Sequence, residues 1–304
     1  PLVCTEVVQS GVNDLVLSLI SSKEVDMIFA EILLTLPEQL AKTDQSQYEP
    51  VLLVLMEAVL SLGKDRDAHK DIMQKIKDVI DCVGRILAHG MQGAAAVWAT
   101  VHGFESLICV IDSLAGFFGD ASEPSAASSS SSEENMEEKQ GGGQKGKELC
   151  AGENDNLTLS NGYVCLQSVI ECLSIALNTS TQVGGVGDSG HDSADDNRLY
   201  FRRMIKYPQL SDALFKTSVF SSPYAGKCVA LLFKLVSGFG SDDRNDDHNL
   251  LLNPDAFAVI LDILPYLELS IAITTIARIK ECAFSQIDGC QMLSEAGLVR
   301  LLIQ

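Results

Sequence analysis

Apolar residues along this 304-residue chain recur at intervals of three and four, and almost never at two. Val51, Leu52, Leu55, Met56, Val59 and Leu60 share one face of a helix that can start at Pro50, with Glu57 and Lys64 off that face. Ile72, Ile76, Val79, Ile80, Val83 and Ile86 form a second such stripe between Asp71 and His89. Start signals agree: Asn253 precedes Pro254 and Asp255, and Ser222 precedes Pro223, each a capping residue followed by a proline suited to a first helical turn. No segment alternates with period two around an Asn-Gly or Asp-Gly turn. The pattern predicts an all-α chain.

Two tracts interrupt it. Residues 120–156 contain Ser128 to Ser132, an acidic run from Glu133 to Glu138 and Gly141 to Gly143. Such a composition has too few large apolar groups to offset chain entropy, so disorder is expected there. Residues 182–197 and 238–249 read as flexible loops, the second holding the acidic run Asp242 to Asp247. Helical periodicity resumes after each. The expected organisation is helical repeats over 1–119, a Ser/Glu/Gly-rich insertion over 120–156, and further helical repeats over 157–304.

A short pattern repeats among the helices. A glycine, an apolar residue, two free positions and a leucine occur at Gly11 to Leu15, Gly103 to Leu107, Gly162 to Leu166 and Gly297 to Leu301. The first and last pairs are separated by near-multiples of the 40–47-residue period of armadillo and HEAT arrays, while the middle interval, which holds the insertion, fits no whole repeat. Glycine there would permit the tight turn between helices, and the leucine would pack into the next layer. Together these features predict an armadillo/HEAT-like α-solenoid interrupted by disordered acidic insertions.

Composition narrows the range of functions. The chain is 46% hydrophobic with a formal charge of −19, which argues against nucleic acid, since a phosphate backbone is gripped by clustered Lys and Arg. That charge is uneven. Residues 120–156 carry −6, residues 185–197 carry −4 and residues 241–247 carry −3, leaving only −6 for the other 247. The helical part is thus mildly acidic, and other proteins are the expected partners. The longest membrane candidate, residues 93–119, holds His102, Glu105 and Asp112 and reads as two buried helical pieces.

Motifs that carry chemistry are weak. Nine cysteines, with no C-x-x-C, lie mostly in apolar runs and suit a reduced, cytoplasmic compartment. Cys165 and Cys172 share a stripe with Val169 and read as core. The G-x-G-x-x-G match at residues 185–190 lacks the strand and helix that a dinucleotide site requires. The acidic loop at 242–247 lacks the Gly and Glu of an EF-hand, and no histidines pair at zinc-ligand spacing. No catalytic residue, cofactor, metal or small-molecule substrate is therefore assigned, and the expectation is a protein that is not an enzyme.

Two segments are candidates for regulation or docking. Arg198, Arg202 and Lys206 fall at i, i+4 and i+8, a positive ridge if one helix carries all three, with Phe201 and Ile205 on the ridge beside it. It would dock an acidic peptide or an anionic membrane, or simply face solvent. Ser130, Ser131 and Ser132 stand before Glu133 and Glu134 and would suit an acid-directed kinase, the alternative being a passive insertion.

The most specific text is C-terminal. Residues 249–267, reading Asn-Leu-Leu-Leu-Asn-Pro-Asp-Ala-Phe-Ala-Val-Ile-Leu-Asp-Ile-Leu-Pro-Tyr-Leu, and residues 285–302, ending Glu-Ala-Gly-Leu-Val-Arg-Leu-Leu, resemble the armadillo-like helical region of large BEACH-domain proteins of the Alfy-like class, which carry FYVE and WD-repeat modules. The resemblance covers about 55 residues well, and residues 200–239 more loosely. It implies a non-catalytic scaffold segment acting in vesicle trafficking, membrane dynamics or selective autophagy, with membrane association through modules outside this chain. The alternative is a free-standing armadillo-type adaptor that binds a peptide in its concave groove.

Overall fold

A computed structural model describes residues 34–35, 37–39, 41, 48–63, 69–89, 97–118, 151–178, 193–237, 253–285 and 289–298, with no strand among them. Ten α-helices are defined among the described residues: α1 (Tyr48–Gly63), α2 (His69–His89), α3 (Gly103–Ser113), α4 (Ala151–Asn178), α5 (Ser193–Arg203), α6 (Lys206–Thr217), α7 (Ala225–Ser237), α8 (Phe257–Ile263), α9 (Leu269–Ser285) and α10 (Gly289–Glu295). The all-α expectation holds.

The helices form where the apolar stripes lie. In α1, Val51, Leu52, Leu55, Met56 and Val59 are buried; in α2, Ile72, Ile76, Val79, Ile80, Val83 and Ile86 are buried. Burying each such side chain fully is worth about 1.5–3 kcal/mol, so these stripes drive the docking. Along α2, part-buried Lys77 and Asp81 pair at 2.7 Å across one turn.

The helices contact one another in two rows. α1, α3, α6 and α8 touch in that order, and so do α2, α4, α7 and α9. α1 crosses to α2, α3 to α4 and α8 to α7, while α5 lies against α4 and α6. Four neighbouring pairs within these rows run parallel. Glu105 and Asp112 of α3 meet Lys206 and Lys216 of α6 at 3.0 and 2.9 Å, so both ends match. Tyr207 donates to Asn253 at 2.7 Å and Ser211 to Asp262 at 3.0 Å, which sets α6 parallel to α8. Tyr163 stacks on Tyr224, and Ser174 donates to the Lys234 carbonyl, so α4 parallels α7. Gly226 faces Ile271, and Arg278 sits over the Phe233 ring, so α7 parallels α9. One apolar core runs through all of them.

Four expectations are corrected. α4 begins at Ala151, so residues 151–156 are helical, and α5 begins at Ser193, so the expected loop over 182–197 gives way to helix in its last five residues. The Asn197 side chain is buried and donates to the Ala176 carbonyl, which closes α5 onto α4. Gly162 does not make a turn between helices. It lies inside α4, where an added Cβ would stand 2.1 Å from the Phe117 ring, so glycine is needed for close packing. Gly103 does follow a turn, at left-handed His102, but an added Cβ there would also strike a ring, Trp98 at 2.3 Å. Asn253 precedes a 3₁₀ turn without capping it through its side chain, because its Oδ1 is taken by the Tyr207 hydroxyl. Ser222 does cap, accepting from the Tyr224 N–H at 3.2 Å.

Candidate docking surfaces

The expected basic ridge is split by a turn. α5 ends at Arg203, and Ile205, in a left-handed conformation with φ 55° and ψ 38°, starts α6 in a new direction. Lys206 therefore points inward, is buried, pairs with Glu105 at 3.0 Å and donates to Gln209 at 3.1 Å. Arg202 stays exposed, 3.7 Å from Asp255, and Arg198 is half-buried on α5. Phe201 is fully buried, whereas Ile205 is 63% exposed. The three cations do not form one face. Ser130, Ser131 and Ser132, the G-x-G-x-x-G match at 185–190 and the acidic loop at 242–247 lie outside the described residues.

Lys206 belongs instead to the junction of α3, α5 and α6. Glu105 Oε1 accepts from the Tyr200 hydroxyl at 2.9 Å as well as pairing with Lys206. Burial alone would push the Glu105 carboxyl up; hydrogen bonds from its own backbone, Lys206 and Tyr200, with the charge of Lys206, outweigh this and hold it below its ordinary value. Rings close around it: Trp98 and Phe201 meet the Phe104 ring edge-on at 6.0 and 5.1 Å, and Tyr200 stacks on it at 5.9 Å.

Among the described residues the thiols are core groups with two exceptions. Cys165, Cys172 and Cys228 are fully buried, and desolvation pushes all three up, Cys165 and Cys228 to about 12. A thiol so raised is a poor nucleophile at neutral pH. Cys109 and Cys290 are exposed, so the apolar run around Cys109 does not bury it. Among the described residues no group of His, Cys, Asp and Glu is placed to hold a metal ion, and no helix is long and apolar enough to cross a membrane.

Among the described residues, exposed large apolar side chains concentrate on α9 and just before it. Leu269, Ile273, Ile276 and Phe284 are 75, 59, 53 and 72% exposed, and Tyr266 just before the helix is 68% exposed. Spaced four, three and eight apart, with Lys280 between the last two, the α9 residues make one stripe. The opposite face, with Ile271, Thr275, Ile279 and Cys282, packs inward. Beside the stripe, between α7 and α9, lies a groove of about 310 Å³ walled by Val229, Phe233 and Ile271. Its one charge is Arg278, whose guanidinium carbon stands 4.4 Å from the Phe233 ring centroid. The Thr274 and Thr275 hydroxyls at its edge already donate to backbone carbonyls one turn back. Such a surface suits apolar side chains of another polypeptide and offers no nucleophile or general base.

This surface is absent from the candidate sites read in the sequence. Its signal is there: α9 is apolar on two faces, a pattern that marks a helix meant to be covered all round. Comparison with known proteins finds no matching family model, no similar curated protein and no similar solved structure.

Proposed function

We propose that the chain is an armadillo/HEAT-type α-solenoid segment that works without catalysis, as a scaffold making protein–protein contacts. The observation that carries this is the parallel stacking of α3, α6 and α8 in one row and of α4, α7 and α9 in the other. A bundle with short loops sets neighbouring helices antiparallel, whereas stacked repeats place equivalent helices parallel, one repeat apart. The offsets support it in the C-terminal half: Phe233 to Arg278 and Gly226 to Ile271 are 45 residues apart, and Tyr207 to Asn253 is 46. Small-angle scattering from the full chain tests it. An elongated particle is expected, and a compact sphere with a radius of gyration near about 19 Å, the value for a globule of this length, would overturn it.

The resemblance of residues 249–267 and 285–302 supports a place for this segment in a large cytoplasmic BEACH-type protein acting in vesicle trafficking, membrane dynamics or selective autophagy. Membrane association would then come through modules elsewhere in that protein. Reading the parent transcript past Gln304 checks this directly: BEACH and WD-repeat text supports the assignment, and its absence favours the free-standing adaptor. The groove between α7 and α9 is the feature that favours the adaptor, since an apolar trough beside a lone Arg278 would hold an extended peptide bearing a carboxylate.

A further inference from the structure

We propose that the corner between α5 and α6 docks on an anionic lipid bilayer, with Met204 and Ile205 inserted and Arg202 and Arg203 on the head groups. Those four consecutive residues are all exposed, Met204 at 49% and Ile205 at 63%, and Leu199, one turn before Arg203 on α5, is exposed at 42%. The fold itself does not require these side chains. The turn that leads into α3 is built in the same way. There the Val101 N–H donates to the Val97 carbonyl as the Met204 N–H does to that of Tyr200, and the His102 N–H to Ala99 as the Ile205 N–H to Arg202. His102 and Ile205 are both left-handed, at φ 54° and 55°. In the turn before α3, Val101 is buried, and the left-handed place holds a polar residue that tolerates it. At the α5–α6 corner the equivalents are Met204 and Ile205, both turned out to water, the second in a conformation unfavourable for a β-branched side chain. Backbone strain and exposed apolar groups concentrate at contact sites.

Charge selects the occupant. Among the described residues Arg203 has no carboxylate partner, and Arg202, with its side chain 65% exposed, has Asp255 at 3.7 Å, a surface pair of little strength. The acidic residues of α5, Asp195 and Asp196, stand at its far end, about 10 Å from Arg202 at the rise of a helix. A surface that is negative outside and apolar beneath meets both halves of the corner. Lipid head groups take the guanidiniums while the apolar tips sink the about 5–10 Å that an interfacial element reaches, and the arginine stems follow with their charges held at the surface. Two cations and three apolar side chains make a weak, reversible contact. The chain's formal charge of −19 opposes it, so the contact is local and holds only with this corner turned to the bilayer. The proposal goes beyond the scaffold reading and does not depend on it.

Co-sedimentation of the full chain with vesicles tests this, comparing phosphatidylcholine alone with phosphatidylcholine carrying about one-third phosphatidylserine. The chain is expected to pellet with the anionic vesicles, less so as salt is raised, and to stay in solution with the neutral ones. Arg203→Glu should weaken binding about tenfold or more. The double variant Met204→Ser, Ile205→Gly should weaken it about tenfold through lost apolar contact. Since Ile205→Gly relieves the left-handed turn, a loss of binding at unchanged helical circular dichroism is not a loss of folding. A wild type that ignores anionic vesicles, that binds neutral ones equally, or that is matched by either variant would overturn the proposal. Retention on polyglutamate without retention on vesicles would assign the corner to an acidic polypeptide and overturn the bilayer. An elongated chain that ignores vesicles overturns this proposal alone, and a compact sphere that binds them overturns the solenoid alone.

Discussion

The junction of α3, α5 and α6 and the outer face of α9 are built from the same kinds of residue and treated in opposite ways. At the junction Trp98, Phe104 and Phe201 are fully buried, and Lys206 is drawn in with them because Glu105 and Gln209 satisfy it. On α9, Leu269, Ile273, Ile276 and Phe284 stand in solvent with Lys280 among them. A charged group is affordable inside only where partners surround it, and an apolar stripe is left outside only where something is to cover it. The first region therefore holds the rows together, and the second presents a surface.

Substitutions should separate the two regions sharply. Phe104→Ala, which removes the ring that Trp98, Tyr200 and Phe201 all touch, should cost about 3–5 kcal/mol in urea unfolding. Gly103→Ala pushes a methyl into the Trp98 ring and should cost about 1–3 kcal/mol, with a change in tryptophan fluorescence from the chain's one Trp. Glu105→Gln should cost about 1–3 kcal/mol at neutral pH. Because that carboxyl is held below its ordinary 4.5 when folded, its contribution is complete above that pH. The gap between wild type and variant should close as pH falls through the lower folded value; a gap that is constant from pH 6 to pH 3 would remove the ion pair from the account.

Smaller effects are expected away from the buried interior. Ile205→Gly should stabilise the corner between α5 and α6 by about 0.5–1 kcal/mol, the relief of a left-handed β-branched residue less the greater chain entropy of glycine. Ile273→Glu on α9 should change the unfolding free energy by no more than about 0.5 kcal/mol, as for an exposed position. Equal losses at Phe104 and Ile273 would erase the contrast between the regions.

Much of this fold is legible in the sequence, because α1 and α2 carry stripes with one apolar and one polar face. What the pattern misreads depends on contacts between distant residues. Nothing local says that Ile205 will take a left-handed turn and break the ridge of Arg198, Arg202 and Lys206, since a β-branched residue is among the least suited to that conformation. Gly162 reads as a turn residue because its need, room for the Phe117 ring, comes from 45 positions away in the chain. Asn253 has the neighbours of a cap, but the Tyr207 hydroxyl, 46 residues earlier, claims its oxygen. The α9 surface was readable as a helix apolar on two faces; one sequence does not tell which face meets the rest of its own chain.

The central claim is that the helices follow one another in rows and do not gather around a single centre. It is tested most directly by the distance between α2 and α9, the first and last members of one row. Spin labels carried by unnatural residues at exposed Ala88 and Lys280 of the full chain would be read by double electron–electron resonance. Three interaxial steps of about 8–10 Å each place the two helices about 24–30 Å apart, and a distance distribution at or beyond that range is the expected result. A distribution centred below about 15 Å, the reach of helices packed around a shared axis, would contradict the account.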